Sequence, residues 1–151
     1  MTRREVGENY FKQGYNCAQA VALSFIDVLK LDSEIVLKLV SGFGGGFGRK
    51  REVCGAVSGM VIVLNSVLGY SDILSNEIKM ELYKNVQFLM DKFKEKNGSY
   101  ICRELLEGVS LSGGYAPEKR TETYYKKRPC ASLVGDACEI LEDFLKEKNI
   151  I

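Results

Sequence analysis

The chain has 151 residues, of which 46% are hydrophobic, and this composition suits one globular domain with a core of its own. The formal net charge is +1, which gives no reason to expect nucleic acid or an acidic membrane surface as a partner. The sequence contains no histidine, which excludes a Ser-His-Asp triad, a Cys-His dyad and any imidazole metal ligand.

Helical periodicity runs through most of the chain, which carries only two prolines. Capping residues and glycine stops predict seven helices, near residues 3–13, 17–31, 33–41, 52–68, 75–96, 100–106 and 129–145. No run alternates strictly enough to predict a strand. We therefore expect a compact all-α bundle, with residues 1–151 forming one domain. A glycine-rich turn precedes the fourth helix.

The N-terminus, MTRREVGENYF, is charged and lacks the apolar segment of a signal peptide. Residues 53–71 are uncharged, but glycine, serine and asparagine interrupt them, which favours a buried core helix over a membrane span. The expected compartment is therefore the cytoplasm, where structural disulfides are rare. In that setting the five cysteines are interpreted as free thiols, redox thiols or metal ligands.

Four of the five cysteines fall in the first turn of a predicted helix. They are Cys17, Cys54, Cys102 and Cys130. Unpaired N–H groups and the positive end of the helix dipole stabilise a thiolate at that position and lower its pKa. Cys138 lies in mid-helix, in line with Val134 and Leu141, and is predicted to be a small core residue.

The glycine-rich turn spans residues 42–48 and is followed by Arg49, Lys50 and Arg51. One interpretation is a turn whose backbone amides approach a ligand or an anion beside Cys54, with cofactor contacts at Gly44, Gly45, Gly46 and Arg49. The other is a helix–helix turn that requires positive φ angles. Both remain open, because the turn matches neither nucleotide-binding glycine pattern.

Residues 108–127 show no sustained period, and a segment this long inside a compact domain is either functional or mobile. The basic residues 126–128 are predicted to be solvated, with a loop that covers the site as the alternative. Gly55 and Gly59 form a small-residue face on the fourth helix. We expect that face to pack against another helix, or to join two copies in a homo-oligomer.

The pattern resembles the C_GCAxxG_C_C family. The matching residues are Asn16-Cys17-Ala18-Gln19-Ala20, the glycines 42–46, Cys54-Gly55-Ala56-Val57-Ser58-Gly59, Cys102 and Cys130. The resemblance covers nearly the whole chain and implies that Cys17, Cys54, Cys102 and Cys130 are the characteristic cysteines. The family name implies redox activity but identifies no substrate.

Three hypotheses follow. The first is a thiol-based oxidoreductase in which Cys54 is the low-pKa thiolate and one of the other three cysteines resolves it, with an unknown redox partner or small molecule as substrate. The second is a binding module in which Cys17, Cys54, Cys102 and Cys130 hold zinc or an iron–sulfur cluster. The third is a structural or interaction protein that has inert thiols and no cofactor.

Overall fold

The computed structural model describes residues 1–151, and the chain folds into nine α-helices without a β-sheet. The helices are α1 (Arg3–Lys12), α2 (Cys17–Ser24), α3 (Ile26–Leu29), α4 (Ser33–Val40), α5 (Gly55–Leu68), α6 (Asn76–Asn97), α7 (Cys102–Leu105), α8 (Glu122–Lys127) and α9 (Cys130–Glu147). The all-α prediction is therefore confirmed. The one element of extended pairing is an antiparallel bridge between Val53 and Ile101.

Two of the nine helices were not predicted. The predicted second helix is divided at Phe25, whose φ of −123° and ψ of 27° leave the helical region. The Arg3 guanidinium donates to the Ser24 carbonyl at 2.7 Å and lies 4.5 Å from the centroid of the Phe25 ring, so a tertiary contact replaces a helical hydrogen bond. This division makes α3 the first of the two unpredicted helices. The second is α8, whose N-terminus is capped by the Thr121 side chain, which accepts from the Tyr124 N–H.

The core is built where α1 packs along α9 and α2 packs along α5. Its largest fully buried side chains come from every part of the chain: Phe11, Phe25, Phe93, Met60, Leu64, Leu89, Leu141 and Leu145. Helix α5 is a buried helix, as predicted for its apolar sequence. None of the helices combines the length and apolar character needed to cross a bilayer.

The small-residue face of α5 lies against α2. A Cβ atom added to Gly59 would lie 2.9 Å from the Cβ of Val21, and one added to Gly55 would lie 3.1 Å from the Cβ of Cys17. The helix-packing prediction for these glycines is confirmed. The alternative that this face joins two copies is wrong, because α2 of the same chain already covers it.

Candidate functional site

The four cysteines that the sequence singled out line one small cavity of about 70 Å³. Cys54, Cys102 and Cys130 are buried, and Cys17 is half-buried. No pair of them forms a disulfide, so the structure presents the reduced thiols. The wide spacing of these residues in the sequence is closed by the packing of α2, α5, α7 and α9.

The predicted position of these cysteines at helix starts is largely confirmed. Cys17, Cys102 and Cys130 are the first residues of α2, α7 and α9, and Cys54 is the N-cap residue of α5. The start of α2 is set by a capping box in which Asn16 accepts from the Gln19 N–H and the Gln19 side chain accepts from the Asn16 N–H.

Cys138 lies apart from the cavity. It is fully buried in the core, where a Cβ atom added to Gly7 of α1 would lie 2.7 Å from its sulfur. Burial raises the pKa of the Cys138 thiol to about 12. This placement agrees with the prediction that Cys138 is a core residue.

Cys54 and Cys102 are held side by side by the single antiparallel bridge. The Cys54 N–H donates to the Tyr100 carbonyl at 2.8 Å, and the Cys102 N–H donates to the Glu52 carbonyl at 2.6 Å. Because the bridge pairs Val53 with Ile101, the two cysteines are diagonal neighbours on one face, with Cα atoms roughly 7–8 Å apart in such pairs. That separation exceeds the usual span of a disulfide, so joining them would require the backbone to move.

A left-handed turn forms one wall of the cavity. Gly45, Gly46, Phe47, Gly48 and Arg49 all have φ between 57° and 72°. Left-handed backbone costs roughly 1–2 kcal/mol for each non-glycine residue, so the glycines are required by the path of the chain. The prediction that the turn needs positive φ is confirmed.

Gly46 is also required for space. A Cβ atom at this position would lie 2.7 Å from the Glu52 nitrogen and 2.8 Å from the Cβ of Cys102. Gly45 and Gly46 line the thiol cavity, whereas Gly44 packs on Asn16 and faces the open groove outside it. Of the three glycines predicted to contact a cofactor, Gly45 and Gly46 therefore reach the cavity. Ligand binding by these glycines stays a prediction.

Arg49, the fourth predicted cofactor contact, holds residues 106–121, which we call the covering segment. Its guanidinium donates to the Ser112 carbonyl and hydroxyl, both at 2.9 Å, to the Gly114 carbonyl at 3.1 Å and to the Ala116 carbonyl. It also lies 3.4 Å from a Glu118 carboxylate oxygen. These contacts occupy the guanidinium in fixing the segment that closes the site.

The covering segment and α8 place an aromatic ring and two arginines over the thiols. Arg120 donates to the Tyr15 carbonyl at 2.9 Å, and its Cζ lies 4.1 Å from the centroid of the Phe11 ring. The Cζ of Arg128 lies 4.8 Å from the centroid of the Tyr124 ring. Arg120, Tyr124 and Arg128 all line the cavity. Of the two interpretations of the basic residues 126–128, Arg128 fits the one in which they cover the site. Lys126 and Lys127 are exposed, as the prediction of a solvated cluster requires.

Glu118 is the carboxylate that balances these arginines. It pairs with Arg128, and it lies 3.6 Å from Arg51 and 3.4 Å from Arg49. Burial opposes its ionisation, but hydrogen bonds from Ser112 and the charges of Arg128 and Arg51 outweigh burial and lower the pKa of Glu118. One carboxylate thus organises three guanidinium groups at the mouth of the cavity.

Cys17 and Cys130 line the same cavity, and their pKa values move in opposite directions. The hydrogen bond from Cys17, with the nearby charges of Arg128 and Arg120, lowers the pKa of Cys130 to about 7 against the opposing effect of burial. The same contact and burial raise the pKa of Cys17. The pair therefore begins to lose its first proton near neutral pH, and the resulting negative charge is favoured on Cys130.

The prediction that Cys54 is the low-pKa thiolate is wrong. Burial raises the pKa of Cys54 to about 12, although the backbone amides of Ala56 and Val57 act in the opposite direction. Burial also raises the pKa of Cys102, with Arg51 as the main opposing charge. A helix start alone does not offset the loss of hydration, and only Cys130 has direct contacts that do so.

The four thiols share the cavity without forming a coordination shell. No group of three or more Cys, Asp or Glu side chains lies in an arrangement that could hold a metal ion. The predicted metal ligands Cys17, Cys54, Cys102 and Cys130 therefore do not fit zinc or an iron–sulfur cluster in this arrangement.

Sequence reasoning missed Arg120, Tyr124 and Glu118 as site residues. They lie in or near a segment without periodicity, where no local pattern separates a site residue from a surface residue. The one available signal was the length of the irregular segment itself, which indicated a functional role.

The site lies within a stretch of the chain that matches a known family. A family model described as "Putative redox-active protein (C_GCAxxG_C_C)" matches residues 15–144. The matched range contains the left-handed turn, the covering segment and all four cavity cysteines. Neither the curated proteins nor the solved structures contain a match to the chain.

Proposed function

Because the chain belongs to the C_GCAxxG_C_C family of redox-active proteins, we propose that it is a thiol-based oxidoreductase with Cys130 as the attacking thiolate and Cys17 as its resolving partner. The observation that supports this proposal is that the two thiols line one cavity, where the pKa of Cys130 is lowered to about 7. A thiol is most effective in exchange when its pKa lies near the ambient pH.

The chemistry balances within the pair and a substrate disulfide. The Cys130 thiolate attacks one substrate sulfur, the substrate disulfide breaks, and its other half leaves as a thiolate that takes up a proton. Cys17 then loses its proton and attacks the Cys130 sulfur, and the second half of the substrate leaves with the bonding electron pair. Two electrons pass from the cysteine pair to the substrate, and the protein is left with a Cys17–Cys130 disulfide.

Solvent access limits which substrates can reach the attacking thiol. Cys130 is 8% exposed, Cys54 is 4% exposed, and Cys17 is the one half-buried member of the four. The cavity of about 70 Å³ limits direct attack on Cys130 to a small substrate or to an extended end of a larger one.

Exchange with bis(2-hydroxyethyl) disulfide, a small neutral disulfide, tests the proposal. We expect Cys130→Ser to abolish exchange at pH 7, and Cys17→Ser to stop after the first step, leaving a mixed disulfide at Cys130 that mass spectrometry detects. Cys138→Ser is the matched control, because Cys138 lies outside the cavity, and it should exchange like the unmodified protein. Undiminished exchange in Cys130→Ser would reject the assignment.

The binding-module hypothesis is decided by a separate measurement, namely the iron, zinc and acid-labile sulfide content of protein purified without oxygen. We expect substoichiometric amounts of all three, because the thiols do not converge on a common point in this arrangement. About one metal ion or cluster per chain, lost when Cys17 is replaced by serine, would establish a Cys₄ site instead.

A further inference from the structure

Arg51 is a mostly buried cation whose hydrogen-bonding capacity is largely unused. Its side chain is 15% exposed and lines the thiol cavity. The guanidinium lies 3.8 Å from the Cys102 sulfur and 3.6 Å from a Glu118 carboxylate oxygen. A guanidinium has five N–H donors, and neither of these contacts is a short hydrogen bond to oxygen.

The neighbouring arginines are better satisfied by the protein. Arg120 donates to two backbone carbonyls, those of Phe11 and Tyr15. Arg128 donates to Glu118, and its charge lowers the pKa of Cys130. Each therefore has a structural partner or a thiolate partner. The structure leaves no buried side-chain nitrogen without a partner, so the free donors of Arg51 are those that face the cavity, where an entering ligand can accept from them.

The charge balance of the cavity favours an anionic partner. Arg51, Arg120 and Arg128 line the cavity, whereas the one nearby carboxylate, Glu118, is shared by Arg128, Arg51 and Arg49, so guanidinium groups outnumber carboxylates around the site. A planar guanidinium with free donors matches the paired oxygens of a carboxylate, phosphate or sulfate.

The size of the cavity limits that partner. Its volume of about 70 Å³ holds a few water molecules, which is room for a group of a few non-hydrogen atoms. We propose that the thiol cavity binds a small oxyanion, free or as the charged end of a larger substrate, with Arg51 as its principal ligand beside Cys130. This inference rests on the proposed function only in placing a thiolate at Cys130.

Competitive alkylation of Cys130 tests the inference with two probes of similar size, anionic iodoacetate and neutral iodoacetamide. The iodoacetate-to-iodoacetamide rate ratio, normalised to that of a free cysteine peptide, should be about tenfold higher at Cys130, the effect of one charge-assisted hydrogen bond. Inorganic phosphate or acetate should slow both probes and raise the pH at which iodoacetamide reacts at half its maximal rate. Stronger protection by phosphate would identify a tetrahedral oxyanion as the ligand, and stronger protection by acetate would identify a carboxylate.

The matched variants are Arg51→Gln and Arg103→Gln. Arg103 is 55% exposed and pairs with Glu52 outside the cavity, and its side chain contacts Arg51 at the backbone carbonyl, at 3.2 Å, so its loss removes the same charge while the Arg51 guanidinium stays in place. The high ratio should disappear in Arg51→Gln and persist in Arg103→Gln. Arg51→Lys keeps the charge and should retain part of the ratio, which provides a second test if Arg51→Gln is unstable.

The outcomes separate this inference from the proposed function. Rapid reaction of Cys130 with iodoacetamide at pH 7, together with an ordinary ratio and no protection by either anion, would overturn the oxyanion site and leave the redox proposal standing. Absence of any Cys130 reaction at pH 7 would overturn the redox proposal. Calorimetric titration with phosphate would then decide the site: heat that vanishes in Arg51→Gln supports it, and no heat in the unmodified protein overturns it.

Discussion

Replacing Cys17 by alanine removes the hydrogen bond that contributes most to the low pKa of Cys130. That pKa is about 7 in the structure against an ordinary 9.0, so about half of the thiol is ionised at pH 7 instead of about 1%. Arg128 and Arg120 remain in the variant, so we expect the pKa of Cys130 to rise partway, to about 8. The pH of half-maximal iodoacetamide alkylation, followed at Cys130 by mass spectrometry, measures this change.

The rate at a single pH is a poor readout of the same change. At pH 7 the ionised fraction should fall about fivefold, but the less acidic thiolate is about threefold more nucleophilic, so the net rate falls only about twofold. At pH 10 the variant should instead react about threefold faster than the unmodified protein. The crossing of the two pH profiles is therefore the expected signature.

Cys17→Ser is the matched control for this experiment. The serine hydroxyl keeps a donor at nearly the same place, so the midpoint should stay within about half a pH unit of the unmodified value. A midpoint that does not move in Cys17→Ala, or that moves equally far in both variants, would refute the reasoning that the hydrogen bond from Cys17 sets the pKa of Cys130.

Three further predictions concern stability and the covering segment. Burial raises the pKa values of Cys54 and Cys138 to about 12 from 9.0, so protonated thiols stabilise the fold below pH 9, and this contribution is lost between pH 9 and 12. Urea unfolding should show the loss as about 1.4 kcal/mol per pH unit for each thiol, and Cys138→Ala should halve the slope due to the pair. Gly46→Ala should lower the free energy of unfolding by several kcal/mol, because the added Cβ would meet backbone atoms. Gly48 also has a positive φ but lies in open space, so Gly48→Ala should cost about 1–2 kcal/mol. Equal costs for the two variants would contradict the steric argument. Arg49→Ala should make the covering segment severalfold more sensitive to limited proteolysis, and an unchanged cleavage rate would show that other contacts hold it.

The parts of the fold that the sequence predicted correctly are those set by neighbouring residues. Asn16, Asp32 and Ser75 cap α2, α4 and α6 through their own side chains, so these helix starts can be read from the sequence. The division at Phe25 could not be read in this way, because it depends on Arg3 reaching from a different helix. Local signals thus predicted where most helices begin but not where a tertiary contact interrupts one.

The same distinction explains the error over the reactive thiol. The sequence identified the four cavity cysteines because a helix start is a local feature. The glycine turn and the basic residues that precede Cys54 in the sequence favour it as the thiolate, but Arg49 turns away to the covering segment and Arg51 points to Cys102. Cys130 instead meets Cys17 from the other end of the chain, and no spacing rule predicts that contact.

The most direct test of the account is the disulfide that forms when the reduced protein is treated with one equivalent of a two-electron oxidant. Peptide mapping should find a Cys17–Cys130 linkage, with Cys54, Cys102 and Cys138 still alkylated as free thiols. A Cys54–Cys102 linkage, or oxidation that leaves both Cys17 and Cys130 as thiols, would contradict the account.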